Sequence, residues 1–163
     1  MSVRYENGFT FIEVIVAVTI IGILAAVAII KMNGTTDVEL AAATRKVISD
    51  IQYAQDLAMT TGNHVKIQFD LDNNSYRLLW SNGTAVPNIM GSGDFIVHYG
   101  SGNFPHVSIT NTGLNQGILA FDAIGQPYSD SNLIASSILV VELNEEKKID
   151  ITPYTGKVYL ESP

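Results

Sequence analysis

The chain has 163 residues, 47% of them hydrophobic, and sets 9 Lys and Arg against 16 Asp and Glu for a formal net charge of −7. That length allows one modest domain with an appendage, and the acidic balance repels phosphate backbones rather than attracting them. No cysteine is present, so disulfide staples, thiolate catalysis and Cys-ligated metals are excluded.

In chain order, the first element is the N-terminus. Met1 to Gly8 is short and polar, holds Arg4 against Glu6, and ends at a small residue. Gly8-Phe9-Thr10-Phe11-Ile12-Glu13 then opens an apolar run in which Val14 to Ile30 carries no charge. A carboxylate at the centre of a spanning helix costs about 2.5–3.5 kcal/mol on insertion scales, so Glu13 calls for a partner or a function. Three plainer readings compete. A secretory signal peptide would use Ala26-Val27-Ala28 as its cleavage triplet, but the leader lacks net positive charge and the apolar run exceeds a usual h-region. A simple single-span anchor fits the lower end of the length requirement and leaves Glu13 unexplained. A buried helix of a soluble protein is opposed by the length of the unbroken run.

These residues resemble a type IV prepilin leader: a short hydrophilic segment ending in Gly8, a first mature residue Phe9, then Thr10 second and Glu13 fifth. The resemblance implies that a membrane-embedded aspartic prepilin peptidase cuts between Gly8 and Phe9. It also implies N-methylation of the freed Phe9 amine, which keeps its positive charge. Glu13 of an incoming subunit would then pair with the Phe9 amine of a neighbour and set the axial register of a filament. Two departures stand out. Ile30 occupies a place where many pilins carry proline, which leaves Gly22 and Asn33-Gly34 as the weak points of the helix. The C-terminal disulfide of many pilins is also missing.

Next, Lys31 to Glu39 contains a Gly and a Thr36-x-x-Glu39 capping box, predicting a helix restart. From Val38 to Thr61 apolar residues recur at Val47, Ile48, Ile51, Ala54 and Ala58, with Arg45, Lys46, Asp50 and Asp56 placed largely elsewhere. That is an amphipathic helix with one buried stripe, stopped by Gly62. If the two helical pieces are continuous, Phe9 to Thr61 makes a rod of about 80 Å.

Beyond Asn63 the pattern shortens. His64–Phe69 and Tyr76–Trp80 read as a hairpin, and Phe95–Tyr99, His106–Thr110, Ile118–Asp122, Ile138–Leu143, Lys148–Ile151 and Lys157–Leu160 as further strands. The expectation is an antiparallel β head, with Asn82–Gly93 as an exposed loop. Phe121-Asp122-Ala-Ile-Gly125-Gln-Pro127 and Thr152-Pro-Tyr-Thr155-Gly156-Lys157-Val158 resemble paired signatures of GspH/FimT-type minor pilins and pseudopilins. Tyr53-Ala54-Gln55-Asp56-Leu57-Ala58 looks like their helix end. The resemblance implies that the two turns frame a second sheet. Gly125, Gly156 and Pro127 also have a purely structural reading as turn residues, which is the main assignment.

Other chemistry is weakly supported. Asp70-x-Asp72-x-Asn74 opens like a Ca²⁺ loop, but Tyr76 and Ser81 stand where Gly and Glu belong, so a solvated turn is the better reading. His64, His98 and His106 lie on separate strand candidates without metal-ligand spacing. No Gly-x-Ser-x-Gly is present. Tyr53, Tyr76, Trp80 and Tyr128 alternate as core or sheet-face residues rather than as a stacking platform. The head carries only Lys66, Arg77, Lys147, Lys148 and Lys157 as cations after Gly62, too few for a nucleic-acid footprint.

The sequence therefore predicts an α+β, pilin-like protein: a long N-terminal helix, hydrophobic half in the membrane and amphipathic half on the head, with an antiparallel β-sheet head. The divisions are leader 1–8, assembly helix 9–30, linker and amphipathic helix 31–61, and periplasmic head 62–163. The resemblance implies a non-enzymatic minor pilin or pseudopilin of a type IV pilus or type II secretion pseudopilus, with no catalytic residue, metal or cofactor. Its alternatives are a major pilin, or an adhesive or DNA-binding minor pilin. Implied partners are the prepilin peptidase, other subunits and, before assembly, the bacterial inner membrane; no nucleic acid is expected.

Overall fold

The structure is a computed structural model that describes residues 10–89 and 91–161, with side chains outside that description at 26–35. Helix α1 runs Phe11–Thr61. It starts where Thr10 turns its hydroxyl onto the chain: Oγ1 accepts from the Glu13 N–H at 3.3 Å, and the Thr10 carbonyl accepts from Glu13 and Val14. It stops at Gly62, whose φ of 68° and N–H bond to the Ala58 carbonyl form a left-handed cap. The predicted restart at Thr36 does not form. Thr36 and Asp37 are helical, because a preceding turn already satisfies the amides that a cap would serve.

The chain divides into two units, Met1–Asp37 and Val38–Pro163. In the first, every described side chain from Thr10 to Ala25 is exposed, Phe11 at 83%. Among the described residues no helix is long and apolar enough to cross a membrane; the described side chains of the apolar run end at Ala25.

In the second unit, α1 buries Leu40, Ala43, Val47, Ile51, Ala54 and Ala58, a stripe spaced at three and four. Ile48 is only partly buried beside it. Two sheets complete the unit, antiparallel at every strand pairing. The larger contains β1 (Val65–Asp70), β2 (Ser75–Trp80), β3 (Ile96–His98), and later β5 (Ile118–Phe121), β6 (Pro127–Ser129) and β7 (Asn132–Leu133). Its order is β3-β2-β1-β5-β6-β7. The smaller contains β4 (Ile109–Asn111), β8 (Ile138–Leu143), β9 (Lys147–Ile151) and β10 (Val158–Leu160), in the order β10-β9-β8-β4. Strand β1 alternates strictly, with Val65, Ile67 and Phe69 on the core side.

Several expectations shift. The strand expected from His106 begins only at Ile109, because the His106 amide is held by Glu39 and its carbonyl by the Asn144 side chain. The turn after Phe121 connects β5 to β6 in the larger sheet, so it does not frame the smaller one; β6 and β7 were unforeseen. The Asn82–Gly93 segment is exposed in most places, yet Val86 is 2% exposed and bridges Leu78 and Phe95 through its N–H and carbonyl. Asp50 lies on the buried side of α1 at 5% exposure.

Candidate functional site

Of the four predicted N-terminal residues, Gly8 and Phe9 lie outside the described residues. Thr10 and Glu13 are described, both exposed. Their spacing is that of a capping box, with Thr10 as the cap and Glu13 three residues on. Glu13 therefore occupies the first turn of α1, where the helix dipole favours an anion. The one hydroxyl farther along the described apolar run is also accounted for: Thr19 Oγ1 donates to the Ile15 carbonyl at 2.7 Å. The outcome is a helix start that displays one carboxylate among exposed apolar side chains. Such a surface can swap apolar contacts with neighbouring helices and accept one cation.

The three C-terminal and helix-end patterns meet at one side chain. Gln55 Nε2 donates to the Gly125 carbonyl and to the Thr155 carbonyl, each at 2.8 Å. One amide thereby joins α1 to the β5–β6 turn of the larger sheet and the β9–β10 turn of the smaller. Both turns need glycine. Gly125 and Gly156 have φ of 82° and 68°, and a Cβ on Gly156 would stand 2.6 Å from Gln55 Nε2 and 2.9 Å from Phe121. Asp122 closes the first turn by accepting the Gln126 and Ile124 amides.

A polar cluster sits inside the second unit. Lys46 Nζ reaches both carboxylate oxygens of Asp50 at 2.6 Å, and the Tyr76 hydroxyl donates to Asp50 Oδ2 at 2.5 Å. Tyr99 donates to the Ala43 carbonyl at 3.3 Å. Burial pushes the Tyr76 hydroxyl well above the ordinary tyrosine range, helped by the neighbouring Tyr99 phenol and the Asp50 carboxylate, and burial raises Tyr99 too. Both phenols thus stay protonated donors at neutral pH. Sequence reading placed Asp50 with the solvated charges; its spacing of three from both Val47 and Tyr53 was the available signal, since three-residue steps share a helix face.

The remaining candidates are committed elsewhere. Asn74 gives its amide nitrogen to the Val107 carbonyl and its oxygen to the Ile109 amide, so it ties two segments together instead of facing a Ca²⁺ loop. Asp70 accepts twice from Asn73. Among the described residues no three acidic or imidazole side chains gather into a metal-binding group. His106 pairs with Glu39, and Lys147 and Lys148 face Glu146 and Glu142.

Residues 3–29 match the prokaryotic N-terminal methylation motif, which spans Gly8, Phe9, Thr10 and Glu13. No curated protein sequence matches the chain. Among solved structures, the fold is similar to that of the minor pseudopilin EpsH from the type 2 secretion system of Vibrio cholerae, with 10% sequence identity and a TM-score of 0.50. The similarity covers 77% of this chain and 98% of that one. The chain is type IV prepilin-like at its N-terminus and has a pseudopilin fold, a helix with antiparallel sheets.

Proposed function

We propose that this chain is a non-enzymatic filament subunit, a minor pilin or pseudopilin, made as an inner-membrane precursor with its head in the periplasm. The observation that carries the reading is the Gly8-Phe9-Thr10-x-x-Glu13 pattern inside a methylation motif, placed so that α1 begins at Phe11. In this reading residues 1–8 are a leader, 9–30 the membrane and assembly helix, 31–61 the linker and amphipathic helix, and 62–163 the head. The sequence supports the span, since Val14 to Ile30 is uncharged. Prepilin peptidase cuts between Gly8 and Phe9, and the methylated Phe9 amine becomes the cation that Glu13 of a neighbouring subunit lacks before assembly. Pairing them removes the cost of an unpartnered carboxylate among apolar helices. The filament is a type IV pilus or a type II secretion pseudopilus, and the partners are its other subunits.

The Glu13→Ala variant separates the two steps. It is expected to be cleaved at a normal rate and to be lost from sheared filaments; filaments containing the variant at the normal level would overturn the assembly role of Glu13.

A further inference from the structure

The larger sheet ends at β3, and that edge borders a cavity. In the β2–β3 ladder the Tyr99 N–H donates to the Asn74 carbonyl and the Leu78 N–H to the Phe95 carbonyl, with Tyr76 opposite Val97. Antiparallel pairing alternates, so Val97, Tyr99 and the Phe95 carbonyl face β2, while the Phe95 N–H donates to Val86, and Ile96 and His98 direct their backbone groups away from β2. Among the described residues no strand pairs on that side. Alongside lies a cavity of about 480 Å³, walled by α1 at Lys46 and Tyr53, by β3, and by loop residues that include Ile89 and Phe104.

Strand β3 is short at three residues, and its sequence Ile-Val-His places no proline or lysine on the free edge. Its rim is apolar and uncovered: Ile89 is 71% exposed and Ile96 is 43% exposed. Within the cavity Lys46 and Asp50 neutralise each other, and the Tyr53 and Phe95 rings stack at 5.8 Å, so that side takes an uncharged apolar group. The outward face is different. Arg77 lies opposite Ile96 and beside Gln68, with Lys66 on the same face of β1. Neither cation has a carboxylate within ion-pair distance among the described residues. Asp70, on the same face of β1, has its carboxyl lowered by its Asn73 hydrogen bonds and also by the nearby Arg77, which leaves two cations to one carboxylate on this face. Charge complementarity therefore calls for acidic side chains on the outward face of whatever covers the edge.

We propose that the β3 edge and its cavity form a docking site for an extended peptide segment of a partner protein, which adds a strand to the larger sheet. Its backbone pairs with Ile96 and His98, alternate side chains are apolar and enter the cavity, and the others are acidic and lie near Arg77. Main-chain bonds supply affinity and the cavity supplies selectivity. The site lies wholly within the second unit, Val38–Pro163, and does not depend on the filament reading.

The test uses the full chain in detergent micelles and a capped seven-residue peptide alternating Glu with Val, Phe and Val. Hydrogen exchange is read residue by residue. With about 1 mM peptide, the Ile96 and His98 amides are expected to exchange at least tenfold more slowly while Ile67, in the interior strand β1, is unchanged. The same peptide N-methylated along its backbone keeps the side chains and loses the donors, and is expected to give no protection. Ile96→Pro removes an N–H that faces away from β2, so it should keep the thermal midpoint within a few degrees and abolish peptide protection of His98. Absence of slowing with the unmethylated peptide, equal slowing with the methylated one, or undiminished protection in a folded Ile96→Pro variant would each overturn the proposal.

Discussion

Gln55 and Gly156 are fitted to each other: the Gln55 amide donates at 2.8 Å to the carbonyl of Thr155, directly before Gly156, and fills the space where a Gly156 Cβ would stand. This contact fastens the helix to both sheets at one point. Gln55→Ala loses two hydrogen bonds to backbone carbonyls and is expected to cost about 1–3 kcal/mol in a denaturant titration. Gly156→Ala adds left-handed backbone strain to the collision, costing at least as much as Gln55→Ala. In the double variant the Gln55 collision disappears but the approaches of 2.9 Å to Phe121 and 3.0 Å to the Gly125 carbonyl remain. The two losses should therefore combine to less than their sum and more than Gly156→Ala alone; strict additivity would contradict the fit.

The buried Asp50 depends on Tyr76. Tyr76→Phe removes the one phenol donor to the carboxylate and leaves Lys46 as its partner. A hydrogen bond to a charged group contributes about 1.5–3 kcal/mol, and that loss is the expected shift in unfolding free energy. Asp50→Ala is expected to destabilise at least as much, since it takes the carboxylate acceptor from the buried Tyr76 hydroxyl and leaves Lys46 without its partner. Equal midpoints for wild type and Tyr76→Phe would show that the cluster contributes nothing.

Acid should loosen the contact between α1 and the segment before β4. The His106 backbone N–H, bonded to Glu39 at 2.9 Å, is the main cause holding the Glu39 carboxyl below its ordinary 4.5, against an opposing effect of desolvation. A depressed folded-state value means that the contribution is present above pH 4.5 and lost as pH falls from there through the folded value. Thermal midpoints measured downward from about pH 6 should fall once that window is entered. Glu39→Gln, uncharged throughout, should fall less steeply. Some decline will persist, because Asp70 is also held low by its Asn73 contacts. Identical pH profiles for the two proteins would remove Glu39 from the account.

Much of this architecture was legible in the chain. The three-and-four spacing from Val47 to Ala58 marked the buried stripe of α1, Gly62 marked its end, and the alternation in Val65–Phe69 marked β1. What escaped was local pattern overruled by tertiary partners. Thr36 and Glu39 have capping-box spacing, yet Glu39 spends its carboxylate on His106. Asp50 looks like one more surface charge until Tyr76 and Lys46 are brought to it from opposite directions in the sequence. Strands β6 and β7 are three and two residues long, beginning at a proline, and are too short for periodicity to register. The N-terminal pattern was readable residue by residue, since its spacing is local, whereas the meeting of the Gln55, Gly125 and Thr155 segments joins positions 70 and 100 residues apart and could be read only from the fold.

The central claim is that the chain is a processed filament subunit, and the mature N-terminus tests it most directly. Mass spectrometry of the protein recovered from cells that contain prepilin peptidase should find N-methylphenylalanine at Phe9 as the first residue, and the uncut chain in cells lacking the peptidase. A mature protein beginning at Ile29, after the Ala26-Val27-Ala28 triplet, or one that keeps Met1 to Gly8 with the peptidase present, would contradict it.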